Sequence, residues 1–389
     1  MTAESKAVWR TVQSFIRETA KNGRPVCVLA PWFVPAREGY LQRVAAIDAE
    51  VLDPLPCIHL DFETGCTRPC AQRMDDRHLL VALLPHHAQS LQLAKKIARA
   101  CGVMYIHSVM RAMQDVMGEH IDELFCLRGV YRIWDVHGAV PEEYVMQPNF
   151  YEAQNATHAE ELLLRQAHTV VTISESMRRH FERKYGVTLQ NTVNTSVFNV
   201  TQVDFERLAA AKLQAAGKQT AAYAGNLMPW QNIPLLQRLM EQAGDAFDYR
   251  IYTPQPQEFA AMAESLAMPP YTVQCVSPQQ VLESYRDCHF GFALRDDSAV
   301  NRVACPTKIM EYIQFGLVPV LKSPHIGDFE ELGLCYIPME SFPALRMSAQ
   351  EHQRMIRHNY AILEKLQQMH EAGIVQLRTL VHSKAKGKG

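Results

Sequence analysis

The sequence predicts an α/β protein built of two doubly wound, Rossmann-like parallel-sheet domains facing a cleft, and three observations carry that reading. Short runs rich in Val, Ile and Leu alternate with longer stretches of helical periodicity nearly from end to end, the pattern of βαβ units whose strands are covered on both faces. The alternation comes as two successive sets that part near residues 190–200. The chain has 389 residues, too many for one ordinary core and enough for two.

In the first set, strands are expected at 25–30, 57–62, 78–84, 103–109, 132–137 and 169–174, with helices between them, among them 88–100 and 175–185. In the second set they are expected at 220–224, 248–253, 271–276, 289–294, 317–321 and 334–337. The join runs through Asn191, Asn194 and Asn199, polar residues suited to a linker. A last helix is expected over 350–373, and from Lys384 onward Lys alternates with small residues as in a disordered basic tail. Residues 1–195 are thus assigned to a first domain and 196–375 to a second whose last helix is free to pack back on the first, with 376–389 as the tail. In open parallel sheets ligands sit beyond the carboxyl ends of the strands, so the loops after strands are where chemistry is sought.

Composition narrows the partners. With 39 Lys plus Arg against 41 Asp plus Glu, the formal charge of -2 creates no broad basic field, and no nucleic acid is expected as a partner. The ten cysteines are scattered, several inside apolar runs where Cys packs as a small hydrophobe, which suits a reducing cytosol. Cys66 and Cys70 lie near His59, but their CxxxC spacing has no second pair of the kind a zinc site needs, and no metal site is assigned. Glu4, Lys6, Arg10 and Arg17 break up the start of the chain, so neither a signal peptide nor a membrane span is expected there. Val8, Val12, Phe15 and Ile16, with Trp9, recur at helical spacing. Such a stripe suits a membrane surface, but more commonly packs on its own domain. A cytoplasmic location is expected, with peripheral contact at the inner face of a membrane left open.

The most informative stretch is 291–320, GFALRDDSAVNRVACPTKIMEYIQFGLVPV. A strand breaks into a polar loop and re-enters a helix at Pro306 and Thr307, where Pro in the first turn costs no hydrogen bond. Backbone N–H groups and the positive end of a helix suit a phosphate there, and Lys308 and Arg295 add side-chain charge. Glu311, three residues after Lys308 and on the same face, can accept hydrogen bonds from a ribose diol; taken alone, the two are better explained as a solvated helical pair. In 223–234, YAGNLMPWQNIP, Gly225 lets the backbone come close to a bound group and Asn226 follows it. In the first half, Asp135-Val136-His137-Gly138 ends a strand, placing His137 where it can face a ligand; a lone His-Gly is otherwise most often a turn. His107 with Arg111 ends another strand and is a weaker candidate, as are Arg37, Gly39 and Arg43 by position alone. His86 and His87 are adjacent, point apart and form no metal pair. Ser174 reads as a helix cap, not a nucleophile.

The segment PTKIMEYIQFGLVPV resembles the nucleotide-sugar motif of retaining GT-B glycosyltransferases of family 4. The resemblance implies that Glu311 holds the donor ribose and that the helix start, with Pro306, Thr307, Lys308 and Asn301 in or beside the preceding loop, holds the diphosphate. The family's second Glu, eight positions earlier, is Val303 here, with Asp296, Asp297 or Asn301 available as substitutes. The Gly225 and Asn226 loop resembles the first loop of the family's C-terminal domain, but its Lys-Gly pair reads Gln231 and Asn232, so phosphate charge falls to Lys308 and Arg295. By the same resemblance His137 contacts the donor sugar, residues 1–195 form the acceptor side and 196–375 bind the nucleotide sugar.

The resemblance implies transfer of a sugar, with retention, from a nucleotide diphosphate sugar such as a UDP- or GDP-sugar to a carbohydrate or lipid-linked saccharide, in cell-envelope polysaccharide or glycoconjugate synthesis. It implies no required cofactor or metal. His137, Glu311, Lys308 and Arg295 are the residues expected to carry it. A nucleotide-sugar epimerase of the same architecture and a non-catalytic binding subunit are the alternatives, the second because the first Glu and the Lys-Gly pair are missing.

Overall fold

The computed structural model of the protein describes residues 2–29, 38–62, 67–84, 87–108, 121–196, 203–214 and 217–387, with the backbone alone at 38–42 and 121–122. The chain divides into two compact units, Met1–Thr195 with Met369–Gly389, and Ser196–Gln368.

The first unit is built on β1 (Val26–Leu29), β2 (Cys57–Asp61), β3 (Cys70–Arg73), β4 (His78–Ala82), β5 (Val103–His107), β6 (Tyr131–Asp135), β7 (Thr169–Thr172) and β8 (Thr192–Asn194). They form one sheet in the order β3-β4-β2-β1-β5-β6-β7-β8, parallel except for β3, which runs antiparallel to β4. Val26 pairs with both Cys57 and Val103, so strand order reverses between β1 and β5. The apolar runs become strands because their residues are buried on both faces: all four of β1 and all five of β5 are buried. One face of the core takes Val26, Val28, Tyr105, Ile133 and Val171 against Val44 and Ile47 of the helix Glu38–Ile47. The apolar stripe near the start lies in a helix, Ala3–Thr19, and buries Val8, Val12 and Phe15, while Lys96 Nζ sits 4.2 Å from the Trp9 ring centroid. The stripe therefore packs on its own unit.

The second unit has β9 (Thr220–Ala224), β10 (Asp248–Tyr252), β11 (Tyr271–Gln274), β12 (Phe290–Ala293), β13 (Val318–Leu321) and β14 (Ile337–Pro338), all parallel, in the order β11-β10-β9-β12-β13-β14. Counted within the unit this is 3-2-1-4-5-6, the dinucleotide-fold order, with its reversal between β9 and β12. Alternate strand residues feed two cores: Tyr223, Phe290, Phe292 and Val320 on one side, Ala222, Ala293 and Leu321 on the other with Tyr312 and Ile313 of the helix Thr307–Gln314. A Cβ on Gly291 would lie 2.5 Å from the Tyr312 ring, so only glycine lets this helix press onto β12. The Tyr312 hydroxyl, donating to the Phe292 carbonyl at 3.0 Å, anchors it there.

Three expectations need correcting. The Asn191–Asn194 stretch is not a linker: its Thr192–Asn194 forms β8 and pairs with β7. Strand β3, unanticipated, is an edge strand with an almost wholly exposed, polar sequence that carries no apolar run. The last helix does not stop at 373 and leave a basic tail over 376–389; it runs Ala349–Ala385. From Met369 its residues belong to the first unit, where Leu377, Val381 and Ala385 are fully buried among Val26, Val51 and Val193. Burial of one apolar stripe overrides the polar composition of the segment. Among the described residues no helix is long and apolar enough to cross a membrane. Arg37, Cys66, His86, Arg111 and Asn199 lie outside the described residues, and Gly39 is described only as helix backbone.

Candidate functional site

In the second unit the loops after β9 and β12, the two strands at the reversal, come together with the start of the helix Thr307–Gln314. Asn232, in the left-handed region at φ 54°, links the two loops by donating to the Leu294 carbonyl at 2.7 Å and to Asp296 Oδ2 at 3.0 Å. Gly225 has φ 150°, and a Cβ there would lie 3.0 Å from both Lys308 Nζ and the Tyr223 hydroxyl. Lys308 therefore reaches back from its helix onto the Gly225 turn. Its Nζ donates to Gln231 Oε1 at 3.2 Å and sits 4.3 Å from the Tyr223 ring centroid, a cation–π contact. The Tyr223 hydroxyl is held by the Asn226 carbonyl at 2.6 Å.

Pro306 precedes the helix and offers no side-chain cap; its carbonyl accepts from the Ile309 N–H at 3.1 Å, which leaves the Thr307 and Lys308 N–H groups at the helix start without a capping side chain. Burial, and then the nearby Arg295 charge, push the Lys308 ammonium down to about 7, with Glu311 opposing them. Burial pushes the Glu311 carboxyl up, and Lys308 opposes that. Two cations kept close enough to disfavour each other, beside an uncapped helix start, make a place that an anion relieves.

The structure thus gathers Gly225, Lys308, Arg295, Pro306 and Thr307 around one place. Asn301 instead holds the shape of the loop: it is buried, donates to the Asp296 carbonyl at 2.6 Å and accepts from Arg295 Nη1 at 3.4 Å. Asn226 is exposed and acts through its carbonyl on Tyr223. Of the two acids offered as substitutes at Val303, Asp296 is paired with Lys322 and Asp297 with Arg302 at 2.6 Å. Val303 itself is buried.

In the first unit, strand register and alternation build a second polar cluster. His107 and Asp135 are register partners at the carboxyl ends of β5 and β6. Tyr105 lies two residues before His107 and His137 two after Asp135, so all four share one face. Asp135 is fully buried and accepts from Arg43 Nη2 at 2.9 Å, Arg43 Nε at 3.2 Å and the Tyr105 hydroxyl at 3.0 Å. Arg43 also donates from Nη1 to the Thr195 carbonyl at 3.2 Å and from Nη2 to the Thr195 hydroxyl. His107 Nδ1 and His137 Nε2 are 3.3 Å apart, and each is 3.6 Å from Asp135 Oδ2. Burial raises the Asp135 pKa, but the Arg43 charge, followed by His137, outweighs it and holds the carboxyl well below the usual range. Burial pushes His107 down to about 3 against the pull of Asp135, so it is neutral. The signal for this cluster stood in the sequence as Tyr-x-His and Asp-x-His at two strand ends; Arg43 was a candidate by position alone, and its pairing with Asp135 had no signal, since only packing brings its helix there.

Among the described residues, two groups have ligand atoms within 4.8 Å of one another: His107, Asp135 and His137, and Asp48, His59 and His78. Neither set fits a cation. Arg43 already neutralises Asp135 through two hydrogen bonds, and His78 spends Nε2 on Asp48 at 3.0 Å and Nδ1 on Asp75 at 2.7 Å.

No family model and no curated protein sequence matches the chain. Solved structures do. HepE from Anabaena, in complex with UDP and glucose, is 12% identical over 92% of this chain and 100% of its own, with a TM-score of 0.59. Sucrose-phosphate synthase from Thermosynechococcus elongatus is 12% identical, with 92% and 98% covered and a TM-score of 0.58. A UDP-forming alpha,alpha-trehalose-phosphate synthase from Burkholderia xenovorans, in complex with glucose-6-phosphate, is 11% identical, with 93% and 100% covered and a TM-score of 0.51. Two parallel α/β units in this chain order, matched along nearly the whole length of such structures, give the chain the GT-B glycosyltransferase fold.

Proposed function

We propose that the protein is a metal-independent glycosyltransferase that takes a sugar from a nucleotide diphosphate donor and passes it, with retention, to a carbohydrate or lipid-linked saccharide. The observation that carries this reading is Lys308 reaching back onto the Gly225 turn, with the Arg295 charge nearby, beside a helix start that has no side-chain cap, at the reversal of strand order. In this reading the donor diphosphate lies against Gly225 and the first turn at Pro306 and Thr307. Glu311 accepts the ribose hydroxyls. The leaving diphosphate gains negative charge as the sugar becomes oxocarbenium-like, and two cations with a helix N-terminus stabilise it in place of a metal. His137 holds a sugar hydroxyl. The bound UDP and UDP-glucose of HepE support UDP as the nucleotide. A cell-envelope saccharide as acceptor and a location at the inner face of a membrane belong to the same proposal.

The test is thermal unfolding with UDP, GDP, ADP, TDP and CMP, with and without EDTA, on the wild type and Glu311→Ala. A ligand that binds only the folded state raises its apparent stability. One nucleotide is expected to do so, to survive EDTA and to lose its effect in the variant. No shift with any of them, or unchanged turnover in Arg295→Ala with Lys308→Ala, overturns the proposal.

A further inference from the structure

A cavity of about 690 Å³ lies within the second unit, at the amino ends of β9, β10 and β12, which Gln219, Phe247 and His289 immediately precede. The loops of the candidate nucleotide site follow the carboxyl ends of β9 and β12, so the cavity occupies the opposite end of the same sheet. The rest of its wall includes Lys212 of the helix Phe205–Gln214, Lys218, Arg346 just before the last helix and His352 in that helix's first turn.

Three cations line this cavity and, among the described residues, no carboxylate does. Lys218 is 3.7 Å from Asp245, which matches its charge. Arg346 spends one N–H on the neighbouring Leu345 carbonyl at 2.9 Å and makes no ion pair with a described residue. Lys212 is the sharper case. It is only 5% exposed, and its ammonium donates to the Tyr285 carbonyl at 3.1 Å and to the Cys288 carbonyl. One N–H and the charge itself are left without a partner or counter-ion among the described residues. A buried charge in that position is costly, and burial pushes the ammonium down to about 7. Lys212 and Arg346 together carry two positive charges to be matched, the charge of a phosphate monoester.

Two buried histidines add direction. The Thr220 N–H donates to His289 Nδ1 at 3.2 Å, so the ring proton of His289 sits on Nε2. His352 Nε2 donates to the His289 carbonyl at 3.1 Å, so its Nδ1 is bare. Burial pushes His289 down to about 4 and His352 down to about 3, so both rings are neutral and the backbone fixes their tautomers. His289 Nε2 and His352 Nδ1 have no hydrogen-bond partner among the described residues, although both rings are buried. Beside the cations the cavity thus has one N–H suited to a phosphate oxygen and one bare nitrogen suited to a hydroxyl.

We propose that this cavity binds a small phosphate monoester that carries a neighbouring hydroxyl, with the phosphate held by Lys212, Arg346 and His289 Nε2 and the hydroxyl donating to His352 Nδ1. Such a site is separate from the nucleotide site and independent of the sugar transfer proposed above.

The test is calorimetry of the full-length protein with glycerol 3-phosphate, inorganic phosphate and glycerol. One glycerol 3-phosphate is expected to bind at this site, phosphate to bind about tenfold more weakly for want of the hydroxyl, and glycerol not to bind. Arg346→Gln, a change at an exposed position that leaves the fold alone, and Lys212→Met should each weaken glycerol 3-phosphate by at least about tenfold. Lys308→Met, at the candidate nucleotide site, should not, and His352→Phe should bring glycerol 3-phosphate down to the affinity of phosphate. No binding to the wild type, or binding that survives Arg346→Gln and is lost in Lys308→Met, overturns the proposal. Equal affinity for phosphate and glycerol 3-phosphate overturns the hydroxyl and with it the role of His352.

Discussion

Lys308 Nζ stands 3.2 Å from Gln231 Oε1, so a cation carried by a helix reaches the loop position at which the family 4 resemblance places a lysine in the loop itself. The charge is supplied from a different element to the same place. Gln231, with no charge of its own, becomes the residue that aims it.

That arrangement makes binding pH-dependent. Lys308 is held down to about 7 in the free protein, and a bound diphosphate favours its charged form. Binding of the nucleotide diphosphate is therefore expected to weaken as pH rises above about 7, with proton uptake measurable by calorimetry in two buffers. The unfolded lysine keeps its usual pKa, so between the two values the unfolded state binds more protons and stability should rise with pH. Lys308→Met should flatten both slopes and cost about 10- to 100-fold in affinity, the worth of a charge-assisted hydrogen bond. Slopes that survive the substitution would assign them to another group.

Gly225 is the tightest point of the same site. With φ 150° and a Cβ position 3.0 Å from Lys308 Nζ, Gly225→Ala strains the turn and drives the ammonium away. A loss of about 1–3 kcal/mol in stability and of at least about tenfold in nucleotide affinity is expected, read by denaturant titration and by calorimetry. Full affinity in a folded variant would show that the turn and the lysine do not act on one ligand.

A separate prediction concerns the helices Val140–Met146, Phe150–Gln166 and Glu175–Tyr185 of the first unit. Burial pushes the Glu160 carboxyl up to about 7, against the pull of Lys184, which lies 3.1 Å away and is shared with Glu142 at 2.8 Å. A carboxyl raised in the folded state binds more protons there than when unfolded, so stability should fall as pH rises from 4.5 to about 7. Glu160→Gln should remove that slope and leave Lys184 on Glu142. Stability curves of the two proteins from pH 4 to 8 that run parallel would exclude Glu160 as the cause.

Much of the fold was legible because it rests on local patterns. Val26 to Leu29 and Val103 to His107 are short apolar runs separated by stretches of helical periodicity, the alternation that marks buried strands of a parallel sheet. β3 and β8 were not, since short, partly exposed strands with little apolar content acquire their structure from a neighbour's open edge. At the candidate site, Lys308, Arg295, Gly225 and the Pro306 turn were named from a strand, a glycine and a helix start, a pattern that suits a phosphate, together with the family 4 resemblance. The role of Asn301 could not, because an amide in a polar loop serves a ligand or the loop itself equally well until its partners are known.

The sequence by itself determined the alternation of strand and helix, the division into two sets and the chemistry available at each strand end, because these depend on side-chain burial and backbone preference over a few neighbouring residues. The tertiary structure alone decided which distant groups meet. Arg43 and Asp135 are 92 positions apart and Lys308 and Gln231 are 77 apart, and no local periodicity encodes a contact at such separation. Strand register put His107 beside Asp135, and helix packing brought Arg43 to Asp135, because close packing of a core leaves each buried charge only the partner that the fold delivers.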